Sequence, residues 1–109
     1  MMKRVEALVQ IITFGECREP AFSALCQFGF DSDVELVEIS DSILADVLQL
    51  FIAGFISADE LEEWANFIEC RDDINFARNE GYIYALSNPE LMGEINTEKI
   101  IKMLEVLMN

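Results

Sequence analysis

Carboxylates dominate the side chains here that could take part in chemistry. From Glu19 to Cys70 there is no lysine, arginine or histidine, and those 52 residues carry twelve acidic side chains. They are Glu19, Asp31, Asp33, Glu35, Glu38, Asp41, Asp46, Asp59, Glu60, Glu62, Glu63 and Glu69. The segment stands at net −12, against −14 for all 109 residues. Self-repulsion on that scale opposes the compact state, so an unmixed, one-signed surface points to a cationic partner. The other reading is a solvated acidic surface that keeps the chain soluble.

The remaining chemistry is sparse. The chain has no histidine, so the commonest general base is missing. It has no Gly-rich phosphate loop, no Ser-centred elbow and no dinucleotide fingerprint. Carboxylate pairs abound, but in so acidic a chain their proximity carries no information. The expectation is a non-enzyme without a cofactor. Asp31, Asp33 and Glu35 imitate the opening of an EF-hand loop, yet Leu36 stands where glycine is needed and Ser42 where glutamate is needed. Cys17, Cys26 and Cys70 are odd in number and form no Cys-x-x-Cys pair. They read as reduced thiols of a reducing cytoplasm, without a disulfide framework or a zinc site. The surface sign is wrong for direct binding of nucleic acid.

Two Asp-Ser pairs raise a different chemistry. Gly29-Phe30-Asp31-Ser32 and Asp41-Ser42-Ile43 resemble the Asp-Ser-Leu motif of acyl carrier proteins, in which the serine carries a phosphopantetheine arm. Ser32 is followed by Asp33 instead of an apolar residue, and Ser42 lacks the preceding glycine. Asp-Ser is also a common helix-capping pair, and capping is the preferred reading, with a carrier-like protein as the alternative.

The elements that must position these residues are helical nearly throughout. A hydrophobic fraction of 52% argues against disorder, and no apolar run reaches the length of a membrane span. Lys3 and Arg4 precede an apolar stretch in the manner of a signal peptide, but Glu6 and Gln10 interrupt it, so a helix is expected. Val5, Leu8, Val9 and Ile12 give that helix an apolar stripe, ending before Gly15. Pro20 suits the first position of a second helix, and Gly29 its C-terminal stop. Residues 31–39 fit a short helix better than strict alternation. Ser40 or Asp41 caps a third helix to about Ala53, apolar on most sides and so central and buried. Ser57 and Glu60 form a capping box for a fourth. There Leu61, Trp64, Ala65 and Ile68 make one face, while Asp59, Glu62, Glu63, Asn66 and Glu69 make the other. Arg71-Asp72-Asp73 marks a break, a helix follows around 79–87, Asn88-Pro89 ends or kinks it, and Thr97 caps a last helix. The fold class is all-α: one domain over residues 1–109, a compact bundle of five or six helices.

The run 54–69, then Arg71-Asp72-Asp73-Ile74, and later Leu86-Ser87-Asn88-Pro89-Glu90 together resemble small acidic immunity proteins of bacterial polymorphic-toxin systems, including contact-dependent growth inhibition. The likeness spans roughly 43–104 and is a helical pattern with a few fixed residues. Cys70 stands where glycine is expected. The resemblance implies a cytosolic antidote that binds the C-terminal toxin domain of its own system, often a nuclease, and blocks it.

The residues suit that role. Nuclease domains are basic because their substrate is polyanionic, and an acidic inhibitor can compete for the same surface. Asp72 and Asp73 are expected to project at the helix break, with local capping or pairing to Arg71 or Arg78 as the other reading. Glu62, Glu63 and Glu69 offer an acidic helix face. Tyr82 and Tyr84, two apart on a helix, cannot both face the core, so one is a candidate anchor. Trp64 shares a face with Leu61 and Ile68 and is expected to pack in the core. The partner that the resemblance implies is the basic C-terminal domain of a cognate toxin, an RNase or DNase being the types considered, and no direct contact with nucleic acid or membrane is expected.

Overall fold

The computed structural model describes residues 3–26 and 35–108. Seven α-helices lie among them: α1 Arg4–Ile12, α2 Arg18–Leu25, α3 Asp41–Ile52, α4 Ala58–Glu69, α5 Glu80–Ser87, α6 Pro89–Met92 and α7 Thr97–Leu107. Two short strands, β1 Val37–Glu38 and β2 Ile74–Asn75, pair in parallel with Val37 opposite Ile74 and Glu38 opposite Asn75. A 3-10 turn, Ala77–Asn79, leads into α5. The chain is mostly α-helical, as its periodicity implies. The helix count rises above five or six because Asn88-Pro89 does more than stop α5. Pro89 takes the first position of the separate four-residue helix α6, where its missing N–H costs nothing.

Local chemistry sets most helix ends. The capping box of α4 is complete: Glu60 N–H donates to Ser57 Oγ at 3.1 Å and Ser57 N–H to Glu60 Oε1 at 3.0 Å. Ser40, and not Asp41, caps α3, accepting from Ile43 N–H at 3.1 Å. At α7 the cap is Asn96, one residue before Thr97; its Oδ1 accepts from Lys99 N–H at 2.9 Å. Pro20 lies third in α2, which begins at Arg18; any of the first few positions tolerates proline because those N–H groups lack intrahelical partners. Helix α3 ends on Gly54 at φ +85°, with Gly54 N–H bonded to Phe51 O and Phe55 N–H to Leu50 O. That pair of bonds is a Schellman turn. Helix α1 ends the same way, Phe14 N–H to Ile11 O and Gly15 N–H to Gln10 O, but the left-handed residue is Phe14 at φ 53°. Gly15 leaves room for the end of the Gln10 side chain, whose Oε1 accepts from Cys17 N–H; a Cβ there would displace it.

Residues 35–39 correct the expectation of a short helix. Leu36 N–H donates to Asp73 O and Ile39 N–H to Asn75 O, both at 2.8 Å, so this stretch satisfies its backbone across the molecule. Phe28, Gly29, Asp31, Ser32 and Asp33 lie outside the described residues.

The core gathers the apolar stripes. Leu8 and Ile12 of α1, Leu44 and Leu48 of α3, Leu61 and Ile68 of α4, Ile83 and Leu86 of α5 and Ile100 of α7 are all buried. Helix α3 is less enclosed than its composition suggests, for Ile52 is 36% exposed at its end. Trp64 is buried, and its Nε1–H donates to Ile12 O at 3.1 Å, pinning α4 to α1. Among the described residues, no helix is long and apolar enough to cross a membrane.

Candidate partner-binding site

The break after α4 separates two neighbouring carboxylates. Asp72 is exposed, as expected of a projecting side chain. Asp73 is not: its side chain has no accessible surface. Arg71 grips it with two bonds, Nε to Oδ1 and Nη2 to Oδ2, each 2.9 Å, and Arg4 adds Nε to Oδ2 at 2.9 Å. Burial pushes the Asp73 carboxyl up, but the hydrogen bonds from Arg71 and then Arg4 outweigh it and hold the carboxyl below its ordinary range. Asp73 therefore ties the start of α1 to the end of α4, and the expectation that it projects toward a partner is corrected. Its backbone carbonyl also accepts from Leu36 N–H, so the same residue anchors the strand pair. Nearby, Arg78 forks onto Asp41 at 2.9 and 3.1 Å, and Asn79 donates to Ile39 O at 3.0 Å. The Arg78 hydrogen bond lowers the Asp41 carboxyl from its ordinary value.

Internal contacts engage six of the seven cations, Lys3 being exposed at the chain's start. Of the seven basic residues in the sequence, Arg4 and Arg71 serve Asp73 and Arg78 serves Asp41. Lys102 lies 3.4 Å from Glu98, and Lys99 donates to the carbonyls of Met92 and Gly93. Arg18 donates to the carbonyls of Phe14 and Gly15 and covers the Phe14 ring at 4.8 Å. Among the described residues, Glu62, Glu63, Glu69 and Asp72 form no ion pair. On α4, Asp59, Glu60 and Glu63 are exposed, whereas Glu62 and Glu69 are half-buried.

The tyrosines divide as their spacing requires. Tyr84 is 43% exposed; Tyr82 packs partly against the core and lines a hollow beside Met92, Lys99 and Met103. A larger hollow lies elsewhere, where α1 and α2 meet α4. This groove of about 610 Å³ is floored by Phe14, Trp64 and Phe67, walled by Phe22 and rimmed by Glu19 and Glu63. Phe22 and Phe67 meet edge to face at 5.5 Å, and Phe14 stacks with Trp64 at 6.4 Å. The structure thus brings Glu63 together with Glu19 and four aromatic rings. It leaves Glu62, Glu69, Asp72, Tyr82 and Tyr84 outside that groove.

Sequence reasoning missed Phe22 and Glu19 as site residues, since nothing local says that α2 faces α4. It also missed Phe55, which is 78% exposed. A signal for Phe55 did exist: a large apolar residue directly after a glycine helix stop and just before a capping serine is held between two fixed turns. Ser42 is exposed in the first turn of α3. Cys17, Cys26 and Cys70 are free and exposed. Among the described residues, no group of three or more His, Cys, Asp or Glu could hold a metal ion. Comparison with protein-family models, with curated proteins and with solved structures finds no match to this chain.

Proposed function

We propose that this chain is an immunity-type inhibitor: it binds one basic toxin domain, of nuclease type, and covers the surface that the toxin offers to its polyanionic substrate. One observation carries the reading. Arg4, Arg18, Arg71 and Arg78 are held by internal partners, while the exposed Glu19 and Glu63 form no ion pair among the described residues and rim a groove lined by aromatic rings, of which Phe22 is exposed. Such a surface steers a basic protein electrostatically, at rates up to ~10⁸ M⁻¹s⁻¹ at low salt. The rings then supply the apolar anchors that hold a complex together.

The direct test is co-expression with a toxin-like C-terminal domain encoded next to this chain's gene. A stoichiometric complex and rescue of growth are expected, with protection confined to that one toxin. Association should slow as ionic strength rises while dissociation changes less. Protection against several unrelated toxins, or none against the neighbouring one, would defeat the reading. A phosphopantetheine mass added at Ser42 or Ser32 would favour the carrier-like alternative instead.

A further inference from the structure

We infer that the groove between the α1–α2 corner and α4 is the docking point for a basic, apolar-faced segment of the protein partner. The segment places aromatic or aliphatic side chains on the ring floor and lysine or arginine against Glu19 and Glu63. This rests on the inhibitor reading and specifies where and by what chemistry the partner is held.

The floor is largely apolar, with the guanidinium groups of Arg18 and Arg71 already lying over Phe14 and Phe67, and two of its polar groups are engaged. Trp64 Nε1 donates to Ile12 O, and Arg18 Nη1 to Phe14 and Gly15 carbonyls. A polar small molecule would find few donors there, whereas apolar side chains find Phe14, Phe22 and Phe67. The volume of about 610 Å³ suits a few side chains. At the rim the chemistry reverses. Glu19 and Glu63 are exposed and form no ion pair among the described residues, so they select cationic flanks. The backbone also accepts strain to build this floor. Phe14 holds a left-handed conformation that a bulky side chain rarely adopts, at the helix end that puts its ring beside Trp64. The groove lies within the acidic part of the molecule, so steering and anchoring coincide.

Trp64 is the chain's one tryptophan and lines the groove, which makes its fluorescence an internal reporter. The probe is a synthetic amphipathic helix of about 18 residues, with leucines on one face and lysines on the other. A second helix carries glutamates in place of the lysines. The full chain should bind the first saturably, with a shift of Trp64 emission and weakening by salt, and should ignore the second. Glu63→Lys and Phe22→Ala should each weaken binding about tenfold or more. Glu105→Lys makes the same charge change on exposed α7 and should alter affinity less than about twofold.

Equal losses in Glu63→Lys and Glu105→Lys would reduce the binding to net charge and overturn the proposal. Parent-like affinity in Phe22→Ala or Glu63→Lys would overturn it too; the latter variant touches no core residue, so misfolding cannot confuse the result. The same variants are then tried on the neighbouring toxin domain. If they lose the helix but bind the toxin as the parent does, the groove assignment fails and the inhibitor reading survives. If the parent binds the helix through the groove but no toxin domain, the inhibitor reading fails and the groove remains a basic-segment site.

Discussion

Glu63 lies in the middle of α4 and Asp73 just beyond its end, and the molecule treats these two carboxylates in opposite ways. Around Asp73, two arginines, a parallel strand pair and the Arg78–Asp41 fork join the start of α1, residues 36–41 and residues 71–79. Charge there is spent on the fold: Asp73 holds two guanidinium groups and Asp41 one. On α4 and around the groove, burial of apolar stripes holds the helices while Glu19, Glu62, Glu63 and Glu69 form no ion pair among the described residues. The contrast explains how so acidic a chain folds. Three of its seven cations, Arg4, Arg71 and Arg78, sit where elements distant in sequence are locked. The exposed side of α4 carries acidic charge without a basic residue.

The comparison can be broken from either side. The largest effect is expected at Leu48, which is fully buried on α3. Leu48→Ala should lose ~2–5 kcal/mol through lost burial and a cavity, read from denaturant melts. A variant that melts like the parent yet fails to protect against toxin would make α3 an exposed binding face, and its buried role would be wrong.

Asp73→Ala should come next. It leaves Arg71 buried and Arg4 partly so, a loss of about 3 kcal/mol, toward the lower end because the Arg4 side chain is 21% exposed. Asp72→Ala, one residue away and exposed, should change stability little. Equal melts for the two would show that the ion-paired lock contributes nothing special.

The same carboxylate sets an acid limit. Its folded pKa lies below the ordinary value, so its contribution is fully present above the unfolded pKa of about 4 and is lost as pH falls through the folded value. The stability advantage of the parent over Asp73→Asn should therefore hold at neutral pH and shrink only below pH ~4. An advantage that already declines between about pH 7 and 5 would point to another group.

Smaller still is Ser57→Ala, which removes one bond of the α4 capping box and should lower stability by ~1 kcal/mol. The smallest effect should carry the opposite sign. Glu63→Lys removes like-charge repulsion and sets a lysine four residues after Asp59, a favourable helical pair. The denaturation midpoint should rise slightly while binding of the basic helix falls. A drop in stability would mean that Glu63 serves the fold after all.

Several features were legible in the residues alone because their causes are local. The capping box at Ser57 and Glu60, the stop at Gly54, the burial of Trp64 beside Leu61 and Ile68, and the exposed side of α4 each depend on spacing within a turn or two. The cation-free acidic stretch needs only the composition. Tyr82 and Tyr84 were separable in principle but not in order, since spacing says that one is exposed and not which.

Tertiary structure decided the rest. Asp72 and Asp73 are indistinguishable in sequence. What buries one of them is Arg4, which comes from the other end of the chain to share it with Arg71. Strands of two residues are too short to show any period, so β1 and β2 exist only because their backbone groups meet. The left-handed Phe14, one residue before the glycine expected to end α1, is held by its packing with Trp64 and Arg18. The groove joins α2 to α4, whose side chains have no periodic relation to one another. Local sequence fixes which side chains share a helix face; which faces then meet is a long-range choice, made by burial and by the pairing of a few scarce cations.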